Sequence, residues 1–186
     1  MSQKPGVRAL GVAESVRGER STLAGAVVRA DRVVDGASFA SCTVGGTDAT
    51  DALVALVDDL DREDVRYLLV GAVAPAWYNL LDLGSIHEAT ALPTIAVTFE
   101  ASDGLEDGLR EAFSGEARSD RLERYRSLPP RRELRVNDET VYVRSVGIDT
   151  EEAATVVRTF TPSGGRPEPV RVARLVARAG ADYREE

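Results

Sequence analysis

Two apolar runs rich in β-branched residues, at 68–73 and 94–99, dominate the hydrophobic pattern of this chain. A segment that can be helical at about 80–89 separates them, and such a pattern is typical of parallel strands buried on both faces. It predicts a βαβ unit at the centre of an α/β sheet. Residues 74–79, with the sequence Ala-Pro-Ala-Trp-Tyr-Asn, would then lie at the carboxyl end of the first strand, where open α/β sheets bind ligands.

Three segments before this unit have the pattern of strands, at 7–12, 22–29 and 32–45. The last two are predicted to form a hairpin that bends at Ala30-Asp31. An amphipathic helix follows, with Leu53 in its apolar stripe. Either Thr47 or Asp48 is a suitable N-cap for this helix, because both side chains can accept its free amide hydrogens.

The second half of the chain contains further helices and one hairpin. The helices are predicted at 105–113, 118–128, 150–160 and 170–178, with Gly115 ending the first of them, and the hairpin strands at 135–136 and 140–146. The order β-β-β-α-β-α-β-α favours a ribonuclease-H-like mixed sheet of five strands, with helices on both faces and a small extra hairpin. No glycine-rich phosphate loop favours a doubly wound nucleotide fold instead. We expect one domain over residues 1–186.

Composition adds limits on environment and partners. The single cysteine, Cys42, excludes an internal disulfide and fits a reducing cytosol, and no apolar run approaches the length of a membrane span. We therefore expect a cytoplasmic protein. A net charge of −8 with a single lysine, Lys4, and otherwise only arginine is the composition of a salt-adapted, halophilic protein. Arginine concentrates in the second half of the chain, and this half is therefore a possible contact surface for nucleic acid.

Three motifs together resemble one protein family. They are Gly-Gly-Thr-Asp-Ala-Thr-Asp at 45–51, Trp-Tyr-Asn-Leu-Leu-Asp at 77–82 and Pro-Glu-Pro-Val-Arg-Val-Ala-Arg at 167–174. Their sequence and order resemble the archaeal family called domain of unknown function ninety-nine, which is similar to endonuclease V. Endonuclease V is a ribonuclease-H-like nuclease that acts on deaminated nucleic acid. The resemblance covers nearly the whole chain.

The resemblance also implies that the nuclease site is altered. Nucleases of this class hold Mg²⁺ with carboxylates so that the metal activates water and stabilises the leaving oxygen. Where the family has a first-strand aspartate this chain has Ala13, where it has an Asp-Gly pair this chain has Gly71-Ala72, and Arg174 replaces a usual histidine. The leading hypothesis is an endonuclease V-like binding module for nucleic acid or a nucleotide, without nuclease activity and without a cofactor.

Ten polar or aromatic side chains remain as site candidates. Those with a possible binding role are Asp48, Asp51, Trp77, Tyr78, Asn79, Asp82, Glu168, Arg171 and Arg174, and Glu14 joins Asp48 and Asp82 as a possible catalytic carboxylate. Each has a structural alternative. The aspartates and Asn79 can cap helices or close turns, Glu168 can pair with Arg171, and the two aromatics can pack the turn. Equally, Trp77 and Tyr78 can stack a base.

Two other functions stay open. A divergent metal-dependent endonuclease or phosphodiester hydrolase would use Glu14, Asp48 and Asp82 around Mg²⁺, which requires the three carboxylates to converge on one ion. A structural or regulatory subunit would instead form a homodimer. The arginines between 118 and 135 can contact phosphates, but interleaved acids also allow ordinary ion pairs on a helix surface.

Overall fold

The computed structural model describes residues 4–184 and contains seven strands and seven helical segments there. The strands are β1 (Arg8–Arg17), β2 (Arg20–Arg29), β3 (Val34–Thr43), β4 (Val65–Val70), β5 (Thr94–Thr98), β6 (Arg132–Val136) and β7 (Glu139–Val146). The helical segments are α1 (Ala49–Leu60), α2 (Pro75–Tyr78), α3 (Leu83–Thr90), α4 (Glu106–Ala112), α5 (Gly115–Ser127), α6 (Thr150–Thr159) and α7 (Glu168–Arg184).

All seven strands belong to one mixed sheet with the order β3-β2-β1-β4-β5-β7-β6. β4 runs parallel to both β1 and β5, which confirms the predicted central βαβ unit. β2 and β3 form the predicted hairpin, and β1 pairs antiparallel with β2. The prediction of five strands with a separate hairpin was wrong, because β7 pairs with β5 and so extends the sheet by two strands.

Helices cover both faces of the sheet, and each face has its own apolar core. On one face α1 and α3 bury Leu53, Leu56 and Ile86 against the central strands. On the other face α6 buries Val156, and Phe160 is buried directly after the helix. Because each apolar side chain buried in this way contributes about 1.5–3 kcal/mol, the two cores hold the carboxyl ends of the central strands in fixed positions.

Helix α7 lies very close to β1 on the second face. A Cβ atom at Gly11 would overlap the backbone of Pro169, and one at Gly71 would lie 2.7 Å from Cγ1 of Val170. Glycine at these two positions lets the helix approach the sheet directly. The close approach brings the arginines of α7 to the edge of the sheet.

Several boundaries differ from those predicted. β1 continues to Arg17 because its whole length pairs with β2, and α7 continues to Arg184. Gly115 begins α5 instead of ending the preceding helix. The helix predicted at 80–89 begins at Leu83, since Asp82 is its N-cap. No helix within residues 4–184 is both long enough and apolar enough to cross a bilayer.

Candidate functional site

A groove runs along the carboxyl ends of β1, β4 and β5. It consists of two adjoining cavities of about 460 and 360 Å³, which share Gly71, Ala72, Arg166 and Arg174 in their walls. The larger cavity lies between the end of β1 and helix α7. The smaller one continues past the end of β5 at Thr98. This is the edge at which the sequence predicts a ligand site.

The side chains of this groove are predominantly basic. Its walls contain six arginines and two acids, namely Arg17, Arg131, Arg144, Arg166, Arg174, Arg178, Glu14 and Glu100. The protein as a whole carries a net charge of −8, so the basic groove is an exception on an acidic molecule. A concave surface lined by one sign of charge focuses the electrostatic field and attracts ligands of the opposite sign. We refer to it below as the arginine groove.

Arg166 and Arg174 occupy the junction of the two cavities. Within residues 4–184 neither of them forms an ion pair, although Arg166 stacks on Phe99 with its guanidinium carbon 4.3 Å from the ring centre. Burial, and then repulsion from Arg174, lowers the pKa of Arg166 below its ordinary value. Two guanidiniums that repel each other and lack a carboxylate partner provide a favourable position for an anion.

The segment after β4 adopts an unusual backbone. Pro75–Tyr78 form a single helical turn in which Ala76, Trp77 and Tyr78 have φ values of 51°, 54° and 63°. These values lie in the left-handed region that residues other than glycine rarely adopt. Such positions cost about 1–3 kcal/mol each and persist only where the surroundings hold them. We call residues 75–78 the left-handed turn.

Hydrogen bonds from β1 and from the loop after β3 hold this turn. An oxygen of the Glu14 carboxylate accepts the backbone N–H of Ala76 at 2.8 Å and the Ser21 hydroxyl at 2.6 Å. The backbone N–H of Gly45 donates to the Ala76 carbonyl at 2.7 Å. Glu14 therefore supports the turn from β1, while the loop after β3 supports it from the other side.

Asn79 joins three parts of the chain from a fully buried position. Its side-chain oxygen accepts the backbone N–H of Ala49 at 3.0 Å, at the start of α1. Its amide nitrogen donates to the Thr43 carbonyl at 2.9 Å and to Asp48 at 2.7 Å. Asn79, not Asp48, thus satisfies the first free amide of α1, although Asp48 occupies the predicted N-cap position.

Asp48 turns its carboxylate back toward β3, where it accepts the Thr43 backbone N–H and hydroxyl. Burial raises the pKa of Asp48, but the hydrogen bonds from Thr43 and Asn79 outweigh that effect and leave the pKa below its ordinary value. The carboxylate is therefore ionised at neutral pH and engaged in structural hydrogen bonds.

The aromatic residues of the turn form a cluster with Phe113. The ring centres of Trp77 and Phe113 lie 5.3 Å apart, and those of Tyr78 and Phe113 lie 6.0 Å apart. Arg121 stacks on Phe113 at 4.0 Å and donates to the carbonyls of Gly45 and Gly46. Despite these contacts Trp77 remains 55% exposed.

The other predicted site residues have structural partners or none. Asp82 caps α3 by accepting the Ser85 N–H at 2.9 Å. Asp51 lies exposed in the first turn of α1. Glu168 and Arg171 form a bidentate pair on α7, and this hydrogen bonding lowers the pKa of Glu168. Of the nine predicted binding residues, Arg174 alone lines the arginine groove.

The residues present do not fit a carboxylate-held Mg²⁺ ion. Within residues 4–184 no group of three or more histidine, cysteine, aspartate or glutamate side chains is placed to hold a metal. The alternative in which Glu14, Asp48 and Asp82 surround one ion has no such group among these residues, and each of the three carboxylates is hydrogen-bonded in a different part of the scaffold. Ala13 packs beside α7, and Val170 fills the space that a side chain at Gly71 would need.

Sequence reasoning missed most of the arginine groove. Arg17, Arg166 and Arg178 were not candidates, and they are distant in sequence from Arg131 and Arg144. One local signal was available, since Arg174 and Arg178 are four residues apart and so share one face of a helix. Of the arginines between 118 and 135, Arg131 lines the groove, whereas Arg126 pairs with Glu106.

Comparison with known sequences identifies relatives along nearly the whole chain. A family model described as Endonuclease dU matches residues 5–180. The UPF0215 protein of Thermococcus kodakarensis is 33% identical over 185 residues, which cover 95% of this chain and 93% of that protein. A UPF0215 protein of Pyrobaculum calidifontis is 32% identical over 178 residues, which cover 94% of this chain and 97% of that protein.

Solved structures agree with this result. A protein of unknown function from Archaeoglobus fulgidus superposes with a TM-score of 0.83 at 25% identity, covering 93% of this chain and 97% of that one. Human ENDOV superposes with a TM-score of 0.68 at 16% identity, covering 97% and 86%. Endonuclease V of Ciona intestinalis, solved with inosine-containing DNA, gives 0.59 at 12% identity, covering 98% and 88%. The endonuclease V fold predicted from the sequence is thereby confirmed.

Proposed function

Because this chain belongs to the Endonuclease dU family, we propose that it binds nucleic acid through the arginine groove without metal-dependent cleavage of the bound strand. The observation that carries the proposal is the pair Arg166 and Arg174, which meet at the junction of the two cavities without a carboxylate partner in the described chain. A phosphodiester backbone supplies the anions that this arrangement lacks.

The chemistry of arginine supports a phosphate ligand. A guanidinium stays charged at any physiological pH and presents paired N–H donors that match two phosphate oxygens. The six arginines supply positive charge along both cavities, although Arg17 is paired with Asp182 and Arg144 donates to the Pro129 carbonyl. The endonuclease V of Ciona intestinalis, which shares the fold, was solved with DNA, and this supports a nucleic-acid ligand for the same architecture.

The carboxylates support the absence of cleavage. The family description names an endonuclease, and metal-dependent hydrolysis of a phosphodiester needs acids that hold the ion beside the scissile phosphate. In this chain Ala13 and Gly71 carry no carboxylate, and Glu14 is engaged with the left-handed turn. Among residues 4–184 no three or more acidic, histidine or cysteine side chains are placed together to hold a metal ion.

One set of oligonucleotides tests both parts of the proposal. Fluorescent single strands and duplexes that contain deoxyuridine or deoxyinosine are incubated with the protein and Mg²⁺ or Mn²⁺, and binding and strand scission are measured on the same samples. We expect binding that weakens in Arg166→Ala and Arg174→Ala. Arg110→Ala is the matched control, because Arg110 is a surface arginine paired with Glu106 outside the groove.

The outcomes separate the two parts. Binding without scission, weakened by the groove variants and unchanged in Arg110→Ala, agrees with the proposal. Robust metal-dependent scission that disappears in Asp48→Ala contradicts the absence of nuclease activity. Binding that is equal in all variants contradicts the arginine groove as the site.

A further inference from the structure

Trp77 is the only tryptophan of the chain, and it stands half-exposed on a strained turn beside the arginine groove. We infer that its ring is a stacking platform for an unpaired base of the bound strand. The inference rests on the proposed function, since it assumes that a strand lies in the groove. It adds that the ligand is single-stranded or locally unpaired, because an aromatic ring can stack only on a base whose face is free.

The backbone of the turn supports this role. Three successive residues other than glycine adopt positive φ there, and strained positions of this kind cluster at ligand-binding sites. The hydrogen bonds from Glu14 and Gly45 to the two sides of Ala76 hold the residue next to Trp77. The turn thus keeps an unfavourable backbone conformation, and in this conformation Trp77 is exposed.

The packing of the cluster leaves one side of the ring available. Trp77 rests on Gly45, where a Cβ would lie 2.9 Å from the indole, and on Phe113. Phe113 is held in turn by Arg121, which is anchored on two backbone carbonyls. The indole thus contacts Gly45 and Phe113, and with 55% of the residue exposed it keeps surface available for a ligand.

The position of the turn connects this platform to the phosphates. Pro75 lines the larger cavity, and Trp77 follows it by two residues. Glu14 lines the same cavity and bonds the residue between them. Trp77 itself lines neither cavity, so a strand whose phosphates lie on Arg166 and Arg174 has to continue past Pro75 to place a base on Trp77.

Intrinsic fluorescence tests the inference directly, because all tryptophan emission comes from this residue. The probes are a twelve-residue oligothymidylate and an abasic strand of equal length, which has the same phosphates without bases. Binding is measured separately by anisotropy of a terminal dye. We expect oligothymidylate to quench the emission of Trp77 on binding, and the abasic strand to bind without that quenching.

Substitutions provide a second readout. Base stacking is worth enough that Trp77→Leu, which keeps an apolar side chain, should weaken oligothymidylate binding by about 5-fold or more. Binding of the abasic strand should not change, and Trp77→Phe should restore most of the affinity. Phe39→Leu is the control, because Phe39 is 50% exposed but packs beside Gly180 of α7 on the other face of the sheet.

Each result distinguishes the inference from the proposed function. If oligothymidylate binds with groove dependence but neither quenches Trp77 nor distinguishes Trp77→Leu from wild type, the stacking platform is wrong and the proposed function stands. If neither strand binds, both are wrong. Should Trp77→Leu fail to fold, the comparison of quenching by the two strands on the wild-type protein still decides the question.

Discussion

The Glu14 carboxylate accepts the backbone N–H of Ala76 at 2.8 Å and so joins the end of β1 to the left-handed turn. The resemblance places the first-strand acids of a nuclease at Ala13 and Glu14. In this chain the first has no carboxylate and the second supports the backbone. At this edge of the sheet Glu14 makes a structural contact, and arginines line the adjoining groove.

Removing the Glu14 carboxylate should destabilise the turn. Glu14→Ala leaves the Ala76 N–H without its charged acceptor, and we expect a loss of about 1.5–3 kcal/mol in the free energy of unfolding. Glu14→Gln keeps an acceptor oxygen and should lose less. Urea denaturation followed by circular dichroism measures the difference, and a shift of Trp77 emission in Glu14→Ala alone reports the turn itself. Equal stability of both variants and wild type would show that the contact is unimportant.

Asn79 should be among the least replaceable polar residues. Asn79→Ala leaves the Ala49 N–H and the Thr43 carbonyl without partners in a buried region, at a cost of about 2–3 kcal/mol. Asn79→Asp keeps the acceptor for Ala49 but places a second carboxylate beside Asp48. We therefore expect Asn79→Asp to be less stable at pH 7 than at pH 5 relative to wild type. Thermal unfolding at the two pH values checks this, and the absence of any pH difference would contradict it.

Asp48 should make stability depend on pH in the acid range. Its pKa in the folded protein lies below the ordinary value of 3.8, so the folded state favours the ionised form. This contribution is present above the unfolded pKa and is lost as the pH falls through the folded value. The wild type should lose more stability than Asp48→Asn between pH 5 and pH 3. Parallel urea titrations measure both losses, and identical pH profiles would count against the assigned network.

Cys42 should be inert toward thiol reagents in the folded protein. Burial, with further contributions from Asp48 and Glu14, raises the pKa of its thiol to about 12. The reactive thiolate is therefore scarce at neutral pH, and the side chain is inaccessible. A chromogenic disulfide reagent should react within seconds in denaturant but very slowly without it. Fast reaction in native buffer would mean that the end of β3 opens readily.

The order of elements and the central βαβ unit were predictable because buried parallel strands leave continuous apolar runs, as at 68–73 and 94–99. The sequence did not predict that β6 and β7 belong to the same sheet, because a hairpin pattern does not indicate which other strand the hairpin pairs with. The left-handed turn had no sequence signal, because Ala76, Trp77 and Tyr78 have no preference for positive φ.

The site was predictable in place but not in composition. The sequence located it at the carboxyl edge of β4, and the absence of acids at Ala13 and Gly71 was visible directly. The residues that give the groove its charge come from β1, β7, the loop before α7 and α7 itself. Only the folded chain brings Arg17, Arg144 and Arg166 to one surface.

The salt dependence of strand binding tests the central claim most directly. Each phosphate contact to a single strand releases counterions and adds about 0.7 to the slope of log affinity against log salt concentration. The double variant Arg166→Ala/Arg174→Ala should therefore bind oligothymidylate more weakly and with a slope that is smaller by about 1 to 1.5 units, whereas Arg110→Ala should keep the wild-type slope. An unchanged slope in the double variant would contradict the arginine groove as the phosphate-binding site.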